Sequence, residues 1–213
     1  MKNLRIKRRI SDYIIKNKWQ ILIVFASLFA GIMLGSFFSV KMSDEKSEAT
    51  AKYIQNFISS YGLQSTDKGE IFKFSLYSNI KLVIFLWISG LWVGLIPFGI
   101  IQVGLKGYKI GFSTTIFVKI FGIKGILLAI LSILPQLLFM LPVVIIYSVF
   151  NIDFALFLKN AKYQRLSVNI KNRLYVRNLI FFVGAVVMSI ISGLVDAYIV
   201  PPILKPICSL LNR

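Results

Sequence analysis

Histidine is absent from all 213 residues of the chain, and cysteine occurs once, as Cys208. Without histidine there is no Ser-His-Asp triad, no His-Glu-x-x-His zinc helix, no Ser-His dyad of the intramembrane kind and no physiological pH switch. A lone thiol excludes an internal disulfide and leaves a cysteine nucleophile without its usual base. Acids are scarce as well: 8 Asp and Glu stand against 25 Lys and Arg, a net charge of +17. Charged residues make up 15% of the chain, where a soluble domain carries about 25%. No enzyme, resident metal or cofactor is expected from such a set.

What fills the chain instead is apolar: 57% of residues, with a mean hydropathy of +0.77, against about 45–50% apolar in a soluble domain. These residues lie in runs too long for ordinary core helices, so lipid is the expected solvent for most of the polypeptide. In a soluble protein the positive excess would suggest nucleic acid. Here the basic residues sit between apolar runs, which reads as cytoplasmic loops beside anionic lipid, and no nucleic-acid partner is expected.

Read in order, the chain opens on a basic tail, residues 1–18, containing Lys2, Arg5, Lys7, Arg8, Arg9, Lys16 and Lys18. An uncharged run from Trp19 to Val40 follows, longer than the apolar region of a signal peptide and without a clear cleavage site, so it is expected as a retained span with its amino end in the cytoplasm. Residues 41–81 are polar and nearly charge-balanced, which suits an extracytoplasmic loop. A second span is expected from about Leu82 to Gly104, turning at Lys106 and Lys109. The apolar stretch Ile110 to Phe150 is interrupted only by Lys119 and Lys124, and a basic cytoplasmic loop, 151–177, precedes a last run from Leu179 to Val200.

Parity decides the topology. If Lys106/Lys109 and the loop with Lys159, Lys162, Arg165, Lys171, Arg173 and Arg177 both face the cytoplasm, an even number of crossings separates them. The stretch between must bend into a hairpin near Lys119–Gly125. One arm, Gly107 to Val118, is then a short span or a re-entrant half-helix, and the other contains Pro135 and Pro142, where a kink is expected. The expectation is a single all-α integral membrane domain over residues 1–213: a polytopic transmembrane helix bundle of about five spans, amino end inside, carboxyl end outside.

Three groups of residues invite functional readings. Small residues recur at i, i+4 spacing as Gly31 and Gly35, Gly90 and Gly94, Gly107 and Gly111, and Ala185, Ser189 and Gly193. Such ridges let helix backbones approach closely within one bundle, and they suit a homodimer as well. Asp196, the one acid inside an apolar run, and the amide of Gln136 are intramembrane polar candidates. In the outer loop Tyr53, Ile54, Phe57, Ile58 and Tyr61 form an apolar helical stripe, which must lie on the membrane, pack on the span tops or bind a partner.

Several short motifs then carry a resemblance over nearly the whole chain. Asn79-x-Lys81 leads into Trp87-Ile88-Ser89-Gly90, Gly104-x-x-Gly107-x-x-x-Gly111 follows, and Leu134-Pro135-Gln136 and Leu141-Pro142 lie beyond. With the basic tail before one span, these make the chain resemble the stage II sporulation protein M family of endospore-forming bacteria. The resemblance implies a multi-pass cell-membrane scaffold at the sporulation septum and engulfing mother-cell membrane. It also implies that the scaffold recruits the peptidoglycan-degrading stage II sporulation proteins D and P. Related membrane proteins often show Pro-His-x-x-x-Glu-Leu-Pro in the proline helix, where this chain has Gln136 and Met140. A permease or channel-like subunit moving a small solute is the alternative, motivated by the broken hairpin and Asp196.

Overall fold

A computed structural model describes residues 12–43, 45–52, 54, 67–163 and 168–204. Among the described residues there are helices and no strand, in the form of a helical membrane bundle. Five long helices build it: α1 (Lys18–Val40), α2 (Lys68–Leu91), α3 (Ile96–Phe121), α4 (Ile123–Tyr163) and α5 (Val168–Leu194), the last running on through a π-helical turn, Val195–Ile199. α1, α2, α4 and the α5 segment are each long and apolar enough to cross a membrane. α3 carries Lys106, Lys109 and Lys119 and packs against α1, α2 and α4; its 26 residues span about 39 Å at about 1.5 Å each.

Local chemistry sets the boundaries, and it moves several of those expected. Asp67 caps α2, its carboxylate accepting the Gly69 N–H at 2.8 Å, and Glu70 in the first turn complements the helix dipole. Residues 68–81, expected as loop, are therefore the first half of a span. α2 stops where Trp92 turns extended (φ −146°, ψ 136°); a 3₁₀ turn, Val93–Leu95, follows. Pro97 then enters the first turn of α3, where a missing N–H costs no hydrogen bond. The corner is thus at Trp92–Leu95 and not at Lys106–Lys109. The stretch Gly107 to Val118, expected as a short or re-entrant arm, is the second half of a full-length helix. The expectation failed because it took both lysines for a loop, whereas they belong to a helix interior.

The α3–α4 hairpin falls within Lys119–Gly125. Gly122 holds φ 59° and ψ −134°, a conformation an L side chain rarely adopts, and Gly125 closes directly onto the backbone of Phe117. α4 continues through Pro135 and Pro142 as one helix of 41 residues, about 60 Å and twice the hydrocarbon core, longer than a single crossing needs. The expected basic loop 151–177 shrinks accordingly: 151–163 is helical and α5 begins at Val168.

Cross-helix pairs give the directions. Gly31 meets Gly104 and Gly35 meets Tyr108, so α1 and α3 run parallel. Ser75 meets Asp196 and Trp87 meets Asn178, so α2 and α5 run antiparallel. Ser75 also meets Gln136, and Gly90 meets Asn151, so α2 and α4 are parallel. Odd-numbered helices run one way and even-numbered helices the other. Val24, Leu86, Val103, Met140, Val144, Tyr147 and Phe154 form the centre of the apolar core between them.

Candidate functional site

Inside lipid an isolated polar side chain is costly, so polar groups in a membrane bundle are held by one another. Four helices contribute to one such group here. Asp196 lies in the π-turn Val195–Ile199, directly before Pro201-Pro202, neither of which has an N–H to continue the regular ladder. From there its carboxylate accepts the hydroxyl of Ser75 on α2. Ser75 in turn accepts the Gln136 amide from α4 at 3.2 Å. One helical turn deeper, Asn79 donates to Ser192 at 3.4 Å, and the Lys106 ammonium from α3 donates to the Asn79 carbonyl oxygen at 3.3 Å.

The spacing explains the two layers. Ser75 and Asn79 are four residues apart on α2, as are Ser192 and Asp196 on the facing helix, so each pair stacks on one face. Asn79 and Ser192 are both fully buried. Ser75 lies about 10 Å, and Asn79 about 16 Å, along the axis from the start of α2. Lys106 and Asp196 thus stand in adjacent hydrogen-bonded layers without touching: among the described residues the salt bridge is Lys52–Glu48 at 2.9 Å. Such an arrangement favours one helix register, because slipping α2 or α5 breaks bonds in both layers at once, and slipping α3 or α4 strands Lys106 or Gln136.

A second, smaller cluster lies toward the α2–α3 corner. The Trp87 indole donates to Asn178 at 2.8 Å and Asn178 donates to Asn151 at 3.1 Å, joining α2, α5 and α4. Gly90 makes room for it, since a Cβ there would stand 2.6 Å from the Asn151 carbonyl oxygen. Tyr147 Oη, Ser148 Oγ and Asn151 Nδ2 are buried beside it with no protein partner.

The small residues divide by role. Gly31, Gly35, Gly107 and Gly111 make the α1–α3 contact: a Cβ on any of the four would overlap a backbone carbonyl oxygen of the other helix. Ser27 adds a hydrogen bond to the Ile100 carbonyl at 2.8 Å across the same seam. Gly90 faces Asn151 as described, whereas Gly94 sits in the 3₁₀ corner against the ring of Trp92 and joins no helix pair through those atoms. Ser189 bonds back to Ala185 at 2.9 Å and faces Met140, while Gly193 accommodates the ring of Phe72 at 3.3 Å. Gln136 and Asp196 come together through Ser75. Lys119 and Lys124 are exposed on either side of the Gly122 turn. Of the outer stripe, Ile54 packs onto Leu128, Val200 and Leu204 at one rim of the bundle. Tyr53, Phe57, Ile58 and Tyr61 lie outside the described residues.

Sequence reasoning selected none of Ser75, Asn79, Lys106 and Ser192 as a site residue, although Asn79 helps to carry the family resemblance. The available signal was the matched pair Ser75-x-x-x-Asn79 and Ser192-x-x-x-Asp196, two polar i, i+4 steps inside apolar surroundings.

The family model described as SpoIIM, stage II sporulation protein M, matches residues 21–201. The match begins in α1 and ends just past the π-turn, so it takes in both polar clusters and the glycine seam. No curated protein and no solved structure gives a significant match.

Proposed function

The chain belongs to the stage II sporulation protein M family, and from that premise we propose that it is a non-enzymatic membrane scaffold that holds peptidoglycan-degrading partners at the sporulation septum and on the engulfing mother-cell membrane. The partners in this reading are stage II sporulation proteins D and P. Membership makes it a sporulation-related membrane protein. The scaffold role rests on one observation above others: Ile54, from the segment between α1 and α2, packs on the Leu128–Val200–Leu204 cluster. That anchor would present the segment from the rim of a bundle whose register is favoured by buried polar bonds.

Orientation follows the same reading. Tyr13 and Lys16 share a groove with Asp153 of α4 and Arg177 of α5. The sequence around this groove, residues 1–18 and 159–177, is strongly basic, which supports a common cytoplasmic face; in this reading the α1–α2 segment and the carboxyl end lie outside. The test is replacement of residues 45–66 by a Gly/Ser linker of equal length. Inserted protein should then lose co-purification of both hydrolases from sporulating cells, and undiminished capture would refute the loop-docking reading. The two stacked polar layers, Asp196 with Ser75 and Gln136 and Asn79 with Ser192 and Lys106, motivate the solute-moving alternative. Flux through reconstituted protein, abolished by Asp196→Asn, would favour it.

A further inference from the structure

Openings in the surface join into one groove along α4 and α5. The first, about 640 Å³, brings Tyr13 and Lys16 together with Asp153 and Arg177 over the rings of Phe150 and Phe181. It shares Ile146 and Phe181 with a second, about 430 Å³, which continues between the two helices past Pro142 and Gly184 to Leu138 and Met188. A third, about 630 Å³, adds Arg173 beside Arg177. From Arg177 to Met188 the groove follows α5 for about 16 Å. That is the depth of one leaflet, half of a hydrocarbon core of about 30 Å.

The charged end of the groove lies at a membrane–water boundary. Arg177 is the last charge before the uncharged residues 178–195 of α5, and Lys18 is the last before the uncharged residues 19–40 of α1. Both helices are long and apolar enough to cross a membrane, and the shared groove puts Lys16 and Arg177 at one level. Exposed Trp19 and Tyr175 add the amphipathic rings that gather at such a boundary. The Arg177 guanidinium rests over the Phe150 ring at 5.3 Å, which holds it at the groove. Among the described residues no salt bridge ties Lys16 or Arg177 to Asp153, and the two cations outweigh the one carboxylate.

The apolar end is kept open by Gly184. No atom lies within 4 Å of where its Cβ would stand, so unlike the glycines of the α1–α3 seam it packs on no other helix. A large side chain there would project into the slot instead.

We propose that this groove binds one anionic glycerophospholipid, its phosphate between Lys16 and Arg177 and one acyl chain in the α4–α5 slot past Gly184. Each end alone fits other occupants, but the two together select the lipid. Free phosphate would use the cations and leave the slot unused. A partner's transmembrane helix, about 10–12 Å across, would follow the whole span, whereas the slot ends at Leu138 and Met188, near the middle of residues 178–195. The site needs only an interface at this end of the bundle, so it goes beyond the scaffold reading and does not rest on it.

The experiment titrates the purified full chain in neutral detergent micelles with phosphatidylglycerol or phosphatidylcholine and counts bound lipids by native mass spectrometry. Phosphatidylglycerol should form a saturable one-to-one complex, about tenfold tighter than phosphatidylcholine. Lys16→Gln with Arg177→Gln should remove that preference, whereas Lys119→Gln with Lys124→Gln, at the opposite end of α4, should keep it. Gly184→Leu should lose the one-to-one complex with either lipid; unfolding curves verify that every variant is folded. Equal binding of the two lipids, or a preference that survives the Lys16 and Arg177 substitutions, would overturn the proposal. Displacement by inorganic phosphate at constant ionic strength would overturn it in favour of a simple anion site. Lipid binding untouched by Gly184→Leu would overturn it too, leaving unspecific boundary lipid or, if hydrolase capture falls in that variant, a partner's helix.

Discussion

Replacing Gly107 by alanine should unlock α1 from α3, and the size of the effect can be worked from the seam itself. The new methyl would overlap the Leu28 carbonyl oxygen and stand 3.2 Å from the Ile32 amide nitrogen, both backbone atoms that cannot rotate away. The helices must therefore separate, and a gap of even 0.5–1 Å forfeits roughly a quarter to a half of the dispersion attraction across it. Overpacking of this kind costs about 1–3 kcal/mol. Gly31→Ala, Gly35→Ala and Gly111→Ala should behave alike, since each meets a carbonyl of the opposing helix. The control is Gly184→Ala, on α5 with nothing within 4 Å of its Cβ, where helix propensity predicts a gain of up to about 1 kcal/mol. Paired substitutions on facing helices should cost less than their sum, because the first already opens the seam. Reversible SDS unfolding of the full chain in bicelles reads each value. If all four seam variants fall within about 0.5 kcal/mol of Gly184→Ala, interlocked backbones are not what joins these helices.

Asn178→Ala should destabilise the fold by about 1–3 kcal/mol by stranding the Trp87 indole and the Asn151 amide; bicelle unfolding measures the loss, and a shift in tryptophan emission locates it. Gly122→Ala meets no steric obstacle, yet should cost about 1–3 kcal/mol because the turn requires its positive φ; the same assay checks it. Asp196→Asn keeps an acceptor for Ser75 and should be tolerated, whereas Asp196→Leu removes it and should cost about 1–3 kcal/mol. Equal stability of the two Asp196 variants would remove that hydrogen bond from the account.

Length and apolarity made the membrane bundle legible, because a span announces itself through a property summed over many residues. The spacing of Gly31 with Gly35 and Gly107 with Gly111 was legible for the same reason, although which helix meets which was not. The corner at Trp92–Leu95 was hidden because its tryptophan, valine and leucines are as apolar as the helices around them. Lys106 misled in the opposite sense: charge normally marks a span's end, and only the facing carbonyl of Asn79 reveals why it is tolerated at depth. Ser75 and Ser192 escaped notice because a single serine in a membrane helix ordinarily bonds its own backbone.

The parallel seam between the first and third helices has a consequence for biosynthesis. At about 5–20 residues per second, the start of the third helix is made about 3–11 s after the first is complete. Throughout that interval the first helix waits in the bilayer with its glycine groove unfilled, open to any newly inserted segment with a matching ridge. Order of emergence from the ribosome, as much as shape, thereby decides which helix claims the groove.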